Sequence, residues 1–187
     1  LPYSETIAVA ASDKIVYGAT PNSMFTLRKE DNVMNRYSKI NGLSDIGVST
    51  ISYSDSEEVL FIAYTNTNID LLKNGQIVNI SDIKRKQILG KKTINDIYFI
   101  DEVAYLSCGF GIVLVDVERE EIKDTWYIGD EGNSIEVFDI TSEGNMIYAA
   151  TEEGIRVADL TASNLADFQS WTKIDDIPHA DGVFTHI

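Results

Sequence analysis

The sequence predicts an all-β fold: a β-propeller segment of about four four-stranded blades, part of a larger ring of about seven. Three observations carry this. A pattern of forty-odd residues returns four times, each repeat divides into four short strands, and helical periodicity is nowhere sustained. A period of about 40–45 residues with about four strands per unit is the signature of propeller blades.

The first strands of the repeats read Thr6–Val9, Ser49–Tyr53, Asn95–Tyr98 and Val137–Ile140. The second strands are Ile15–Thr20, Leu60–Thr65, Ala104–Gly109 and Ile147–Glu152, with Tyr17, Ile62, Leu106 and Ala149 at equivalent places. Met24–Leu27, Ile69–Leu72, Ile112–Val115 and Ile155–Ala158 follow as third strands. The fourth are Val33–Ser38, Gln76–Ile80, Glu121–Ile128 and Ser170–Ile174. Asn74-Gly75 is the clearest hairpin, because this pair accepts the positive φ values of a type I′ turn. Innermost and second strands, packed on both faces, should be nearly continuously apolar or small, as Ile15–Ala19, Leu60–Tyr64 and Ile147–Ala150 are. Outer strands should mix polar and apolar residues, as Glu121–Ile128 does. A single helical turn is expected at Asn164–Gln169. The blades therefore span residues 5–40, 47–82, 93–130 and 135–175 of one segment, 1–187. Residues 178–187 begin a further blade, whose incoming strand is Gly182–Thr185.

Composition narrows the function. Forty-four per cent hydrophobic residues exclude wholesale disorder, and no run of 18 apolar residues occurs, so direct membrane insertion is not expected. Fifteen Lys and Arg against 30 Asp and Glu give a formal charge of −15. That balance disfavours nucleic acid, whose phosphates need clustered cations. The chain opens Leu1-Pro2-Tyr3 without an initiator Met or signal peptide and reads as a processed or excised piece of something longer. Cys108 is the sole cysteine, in the apolar run Val103–Cys108; it excludes an internal disulfide and reads as a small buried hydrophobe.

Several segments resemble a known family. Asn41–Ile51, Asn68–Leu71, Ile80–Lys86, Tyr105–Val113 and Glu121–Thr125 look like the PorZ family of the Bacteroidetes type IX secretion system, a likeness covering most of residues 1–175. More distantly, Ala149–Ile155 and Gly18-Ala19-Thr20 are similar to the two-component-regulator propeller repeat. The first resemblance implies two propellers and a C-terminal β-sandwich, acting at the outer-membrane surface in a complex that attaches secreted cargo to anionic lipopolysaccharide. This chain would be part of the first propeller. The resemblance carries no catalytic residue over.

One basic cluster interrupts the acidic background: Lys84, Arg85, Lys86, Lys91 and Lys92, five of the fifteen cations within nine positions. The expected loop lies between the second blade's last strand and the third blade's first, on the face of the second-to-third-strand loops. There it can hold phosphate or carboxylate groups of an anionic glycan, with Arg85 suited to bidentate contact. The same text also reads as a solvated loop whose lysines pair with Asp82 and Asp96. Phe110, between Gly109 and Gly111, is expected on the same face, stacking on a sugar or plugging a gap between blades. Carboxylates at Asp55–Glu58, Asp116–Glu121 and Asp175-Asp176 lack calcium-loop spacing, and no phosphate loop, serine elbow or histidine metal motif occurs. The expectation is therefore a non-catalytic platform without cofactor or metal. Its partners are other attachment-complex proteins and an anionic lipopolysaccharide or glycan, and it is exported to the cell surface or periplasm. A ligand-sensing periplasmic propeller of a hybrid two-component regulator is the alternative. A propeller lyase or glycosidase is the third reading, disfavoured because no acid–base pair stands out.

Overall fold

Short β-branched and aromatic runs broken by turn residues can satisfy their backbone groups only by pairing, and the chain pairs each strand with its immediate neighbour. The computed structural model describes residues 5–187; the opening Leu1-Pro2-Tyr3-Ser4, read above as the cut start of a longer chain, lies outside the described residues. The first sheet comprises β1 (Ala8–Ala11), β2 (Ile15–Thr20), β3 (Ser23–Arg28) and β4 (Met34–Ser38). The second comprises β5 (Val48–Ser54), β6 (Val59–Tyr64), β7 (Ile69–Lys73) and β8 (Gln76–Ile80). A third holds β9 (Ile94–Ile100), β10 (Val103–Cys108), β11 (Gly111–Asp116) and β12 (Glu121–Trp126), and a fourth β13 (Val137–Glu143), β14 (Met146–Thr151), β15 (Gly154–Asp159) and β16 (Thr172–Lys173). Each sheet is an antiparallel meander in sequence order, the blade of a β-propeller segment.

The chain divides into two compact units. One holds the described residues up to Lys86 together with Val117–Glu120, the other Gln87–Asp116 and Glu121–Ile187. In the first, the core is built from Tyr17, Met24, Val48, Leu60, Ile62 and Tyr64. In the second it is built from Tyr105, Leu114, Trp126, Ile140, Ile147 and Trp171. Each fully buried aliphatic side chain among these contributes about 1.5–3 kcal/mol.

Every residue of β6 is buried, and β10 is buried beyond its first residue, as expected for second strands. The innermost strands depart from the expectation. β5, β9 and β13 bury about every third residue and leave the rest half-buried. The reason is a bulge near the start of each, between Val48 and Thr50, Ile94 and Asp96, and Val137 and Asp139. An extra residue there breaks the two-residue alternation.

Pairing also corrects the repeat alignment. The β2–β3 hairpin closes at Thr20↔Ser23 and the β14–β15 hairpin at Thr151↔Gly154, each with Thr Oγ1 bonding the opposite carbonyl. Counting back from these closures, the equivalent residues are Tyr17, Phe61, Tyr105 and Tyr148, 44, 44 and 43 residues apart. Each blade thus has an aromatic at this place, and Gly18 stands where Ile62, Leu106 and Ala149 do. A Cβ on Gly18 would lie 2.3 Å from the Phe25 ring, which accounts for the glycine. Asn74 (φ 53°) and Gly75 (φ 75°) form the expected positive-φ turn.

Two helical features differ from expectation. Asp82–Arg85 forms one turn of helix, α1, instead of a loop. It is held by Ile83, which is buried, and by the Lys86 N–H donating to the Asp82 carbonyl. The helical turn expected at Asn164–Gln169 forms slightly later, as a 3₁₀ turn at Phe168–Ser170 capped by Asp167.

Candidate functional site

The basic segment is set by Asp45 in the first unit. This carboxylate, 8% exposed, accepts from Lys84 Nζ at 2.6 Å, Asn66 Nδ2 at 2.7 Å, Lys39 Nζ at 3.3 Å and its neighbour's Ile46 N–H at 3.1 Å. The Lys84 ammonium above all, then the Asn66 amide, holds the Asp45 carboxyl well below the usual carboxylate range against its burial. Lys84 is therefore spent largely on tying α1 to the Leu43–Gly47 connection. Arg85 makes a looser contact with Asp82, 3.4 Å, and its side chain is 70% exposed. Lys86 is exposed at the end of α1. Asp82, expected to pair with a lysine, is instead contacted by Arg85.

The other half of the expected site belongs to the second unit. Lys91 Nζ is ion-paired with Glu136, and Lys92 is half-buried. Phe110 is completely buried and packs on Tyr127, ring centroids 6.4 Å apart. Its faces are occupied by protein, so the expectation of sugar stacking is corrected: Phe110 is a plug. The tight loop requires the flanking glycines, since a Cβ on Gly109 would meet the Lys91 carbonyl at 2.2 Å and one on Gly111 the Trp126 carbonyl at 2.2 Å.

Sequence reading missed the buried polar residues that hold connections. Asp70, fully buried, accepts from Tyr64 Oη at 2.6 Å, from the Ser44 N–H at 2.8 Å and from Asn79 Nδ2 at 2.9 Å. Burial first, then this carboxylate, pushes the Tyr64 phenol far above its ordinary range. Arg156, at the equivalent position of the fourth blade, is also buried and donates to Asp130 Oδ1 at 2.9 Å. The only sequence signal was a charged residue inside an otherwise apolar third strand.

The chemistry available is limited. Cys108 is completely buried and its thiol is pushed far up by burial, so it stays protonated. Asp96 and Asp139, at matching bulges of β9 and β13, face each other, with His186 Nδ1 3.7 Å from Asp139. Burial, and then the Asp139 charge, raises the Asp96 pKa. Among the described residues no group of three or more His, Cys, Asp or Glu side chains is arranged to hold a metal ion. No helix among them is long and apolar enough to cross a membrane. One cavity missed by sequence reading opens between the first and second blades, lined by Tyr17, Tyr37 and Tyr53. Sequence could not reveal it because its lining comes from five strands and three turns.

Comparison with known proteins places the chain. Residues 16–172 match the family model of the type IX secretion system PorZ N-terminal β-propeller domain. No curated protein matches. Among solved structures, PorZ from Porphyromonas gingivalis, described as an essential bacterial surface component of the type-IX secretion system, superposes with a TM-score of 0.81 at 26% identity. The match covers 93% of this chain and 23% of that one, so the chain spans under a quarter of that relative. The extracellular domain of a hybrid two-component system from B. thetaiotaomicron gives a TM-score of 0.68 at 11% identity, covering 97% of this chain and 24% of that one. The computationally designed Ika4 protein gives 0.62 at 12%, covering 84% and 92%. At those identities the last two share the fold alone. The matching residues take in all four sheets, from β2 to the start of β16, and by that measure this chain belongs to the PorZ N-terminal β-propeller domain family of type IX secretion.

Proposed function

We propose that this chain is a non-catalytic docking platform of a type IX secretion complex on the cell exterior, and that α1 presents cations to an anionic surface glycan. Membership of the PorZ propeller family carries the first part. The second rests on Arg85 and Lys86, exposed side by side on a turn that Asp45 holds rigid through Lys84. A guanidinium on a fixed turn can bind phosphate or carboxylate through two parallel hydrogen bonds. Lys91 and Lys92 are assigned to the same role, with Lys91 needing to exchange its Glu136 partner. Other proteins of the complex are the expected partners of the remaining surface. The tail from Pro178 to Ile187 is read as the entry to a fifth blade of a ring of about seven.

A periplasmic sensor is the competing assignment, but the likeness to the two-component extracellular domain is one of fold at 11% identity. Downstream sequence separates the two: a second propeller and a sandwich favour secretion, a membrane-spanning helix and kinase favour sensing. Deleting the gene should leave type IX cargo unsecreted or unanchored; normal anchoring would defeat the assignment. The glycan contact is tested by replacing Arg85 and Lys86 with Ser while keeping Lys84, whose loss would disturb Asp45. Binding of the full-length protein to purified anionic lipopolysaccharide should weaken about 3–10-fold and lose part of its salt dependence. Unchanged affinity at low ionic strength removes α1 from the site.

A further inference from the structure

The faces of neighbouring blades are filled differently in the two units. In the second unit, Tyr105 pairs with Leu114, and Trp126 packs edge-on against Tyr105 (5.6 Å) and tilted against Trp171 (6.1 Å). Leu160 and Leu165 add to this apolar filling. At the matching places of the first unit, Tyr17 pairs with Thr26, and Tyr37 stands where Trp126 does. Thr26 has too little volume to reach across, and a cavity of about 270 Å³ remains between the first two blades. This is close to the lower end of ligand-site volumes, roughly 300 Å³.

The cavity's lining is a mixture that water-filled gaps between blades do not require. Tyr17 and Tyr53 stack with centroids 5.4 Å apart, and half-buried Tyr37 adds a third ring. Around the rings stand the Ser12 and Thr26 hydroxyls and the Asn35 and Asn74 amides. Burial raises both Tyr17 and Tyr53, so their phenols remain neutral, and each is hydrogen-bonded with Ser12 at the cavity wall. The rim carries more carboxylates than cations: Lys14, Arg28 and Glu58 line it, Arg28 is paired with Asp31, and Asp13 and Asp55 lie near Tyr53. Such a rim repels an anionic sugar.

We infer that this cavity is a binding site for an uncharged pyranose sugar. A pyranose offers an apolar C–H surface suited to tyrosine rings and a circle of hydroxyls suited to paired donors and acceptors. The site holds room for about one such ring. It opens among the turns β1–β2, β5–β6 and β7–β8, whereas α1 packs against the opposite end of the same unit through Asp45 and Asn66. It goes beyond the glycan contact proposed above and does not depend on it.

The test is saturation-transfer NMR on the full-length protein with methyl glycosides of glucose, galactose, mannose and N-acetylglucosamine. At least one should receive saturation, and Thr26→Leu, which copies the filled second unit, should weaken it at least tenfold without lowering the melting temperature. Asn35→Ala, at an exposed position that folding does not need, should weaken the same sugar and supplies the readout if Thr26→Leu fails to fold. Arg85→Ser/Lys86→Ser should leave the sugar signal intact, which separates this site from the basic turn. No transfer from any of the four sugars, or affinity within threefold in every folded variant of Thr26 and Asn35, overturns the inference.

Discussion

A single carboxylate decides how the first unit's basic turn is presented. Asp45 satisfies two ammonium groups, an amide and a backbone N–H, and its folded pKa lies below that of an exposed aspartate. A depressed carboxylate pKa contributes stability that is fully present above the unfolded value of about 3.9 and is lost as pH falls through the folded value. The unit should therefore weaken progressively below about pH 4. Asp45→Asn should cost about 1 kcal/mol at pH 7, since both lysines are largely exposed and screened, and should flatten the decline in melting temperature on acidification. Melting curves from pH 7 to 3 read this directly; parallel curves for the two proteins would refute it. Lys84 illustrates how a motif misleads: its charge was legible in the sequence, but its partner lies 39 residues away.

At the scale of elements, one position of the third strand has the same task with opposite charge. Asp70 in β7 bonds the Ser44 N–H of the connection entering the second blade, and Arg156 in β15 bonds Asp130 of the connection entering the fourth. Each fixes a loop that would otherwise be free at one end of its blade. Asp70→Ala would strand Tyr64 Oη, 0% exposed, and release Ser44, at a cost of about 3 kcal/mol. Urea denaturation measures it; a loss under 1 kcal/mol would mean that water satisfies these groups instead. The strands themselves were readable because turn residues bound short apolar runs, and Gln76–Ile80 and Ile15–Thr20 agree residue for residue with the expectation. The α1 turn was not, because four residues carry too little periodicity to register and tertiary burial of Ile83 stabilises it.

Across the whole chain, the tail expected to enter a further blade at Gly182–Thr185 forms no strand there, but runs as turn and coil with backbone contacts to the fourth blade. In the first unit, the Val48 N–H at the head of β5 donates to the Pro21 carbonyl, beyond β2. In the second, the Phe184 N–H donates to the Thr151 carbonyl at the end of β14, and the Ile187 N–H reaches Asp139 on β13. In the full-length protein, Val183 and Thr185 should be protected from amide exchange like the residues of β5, because the following strand would pair with them. Exchange within seconds, as in an open tail, would reject a fifth blade there.

By itself the sequence determined the four repeats and the buried second strands, which follow from continuous apolar runs and from text recurring every forty-odd residues, and the family, through segments such as Asn41–Ile51 and Tyr105–Val113 that resemble it. Tertiary structure alone decided which cations are bound to Asp45 and Glu136, that Phe110 is buried, and that Thr26 leaves a hollow where Leu114 fills one. Those outcomes depend on side chains distant in sequence competing for the same space and the same charge, and no local pattern encodes that competition.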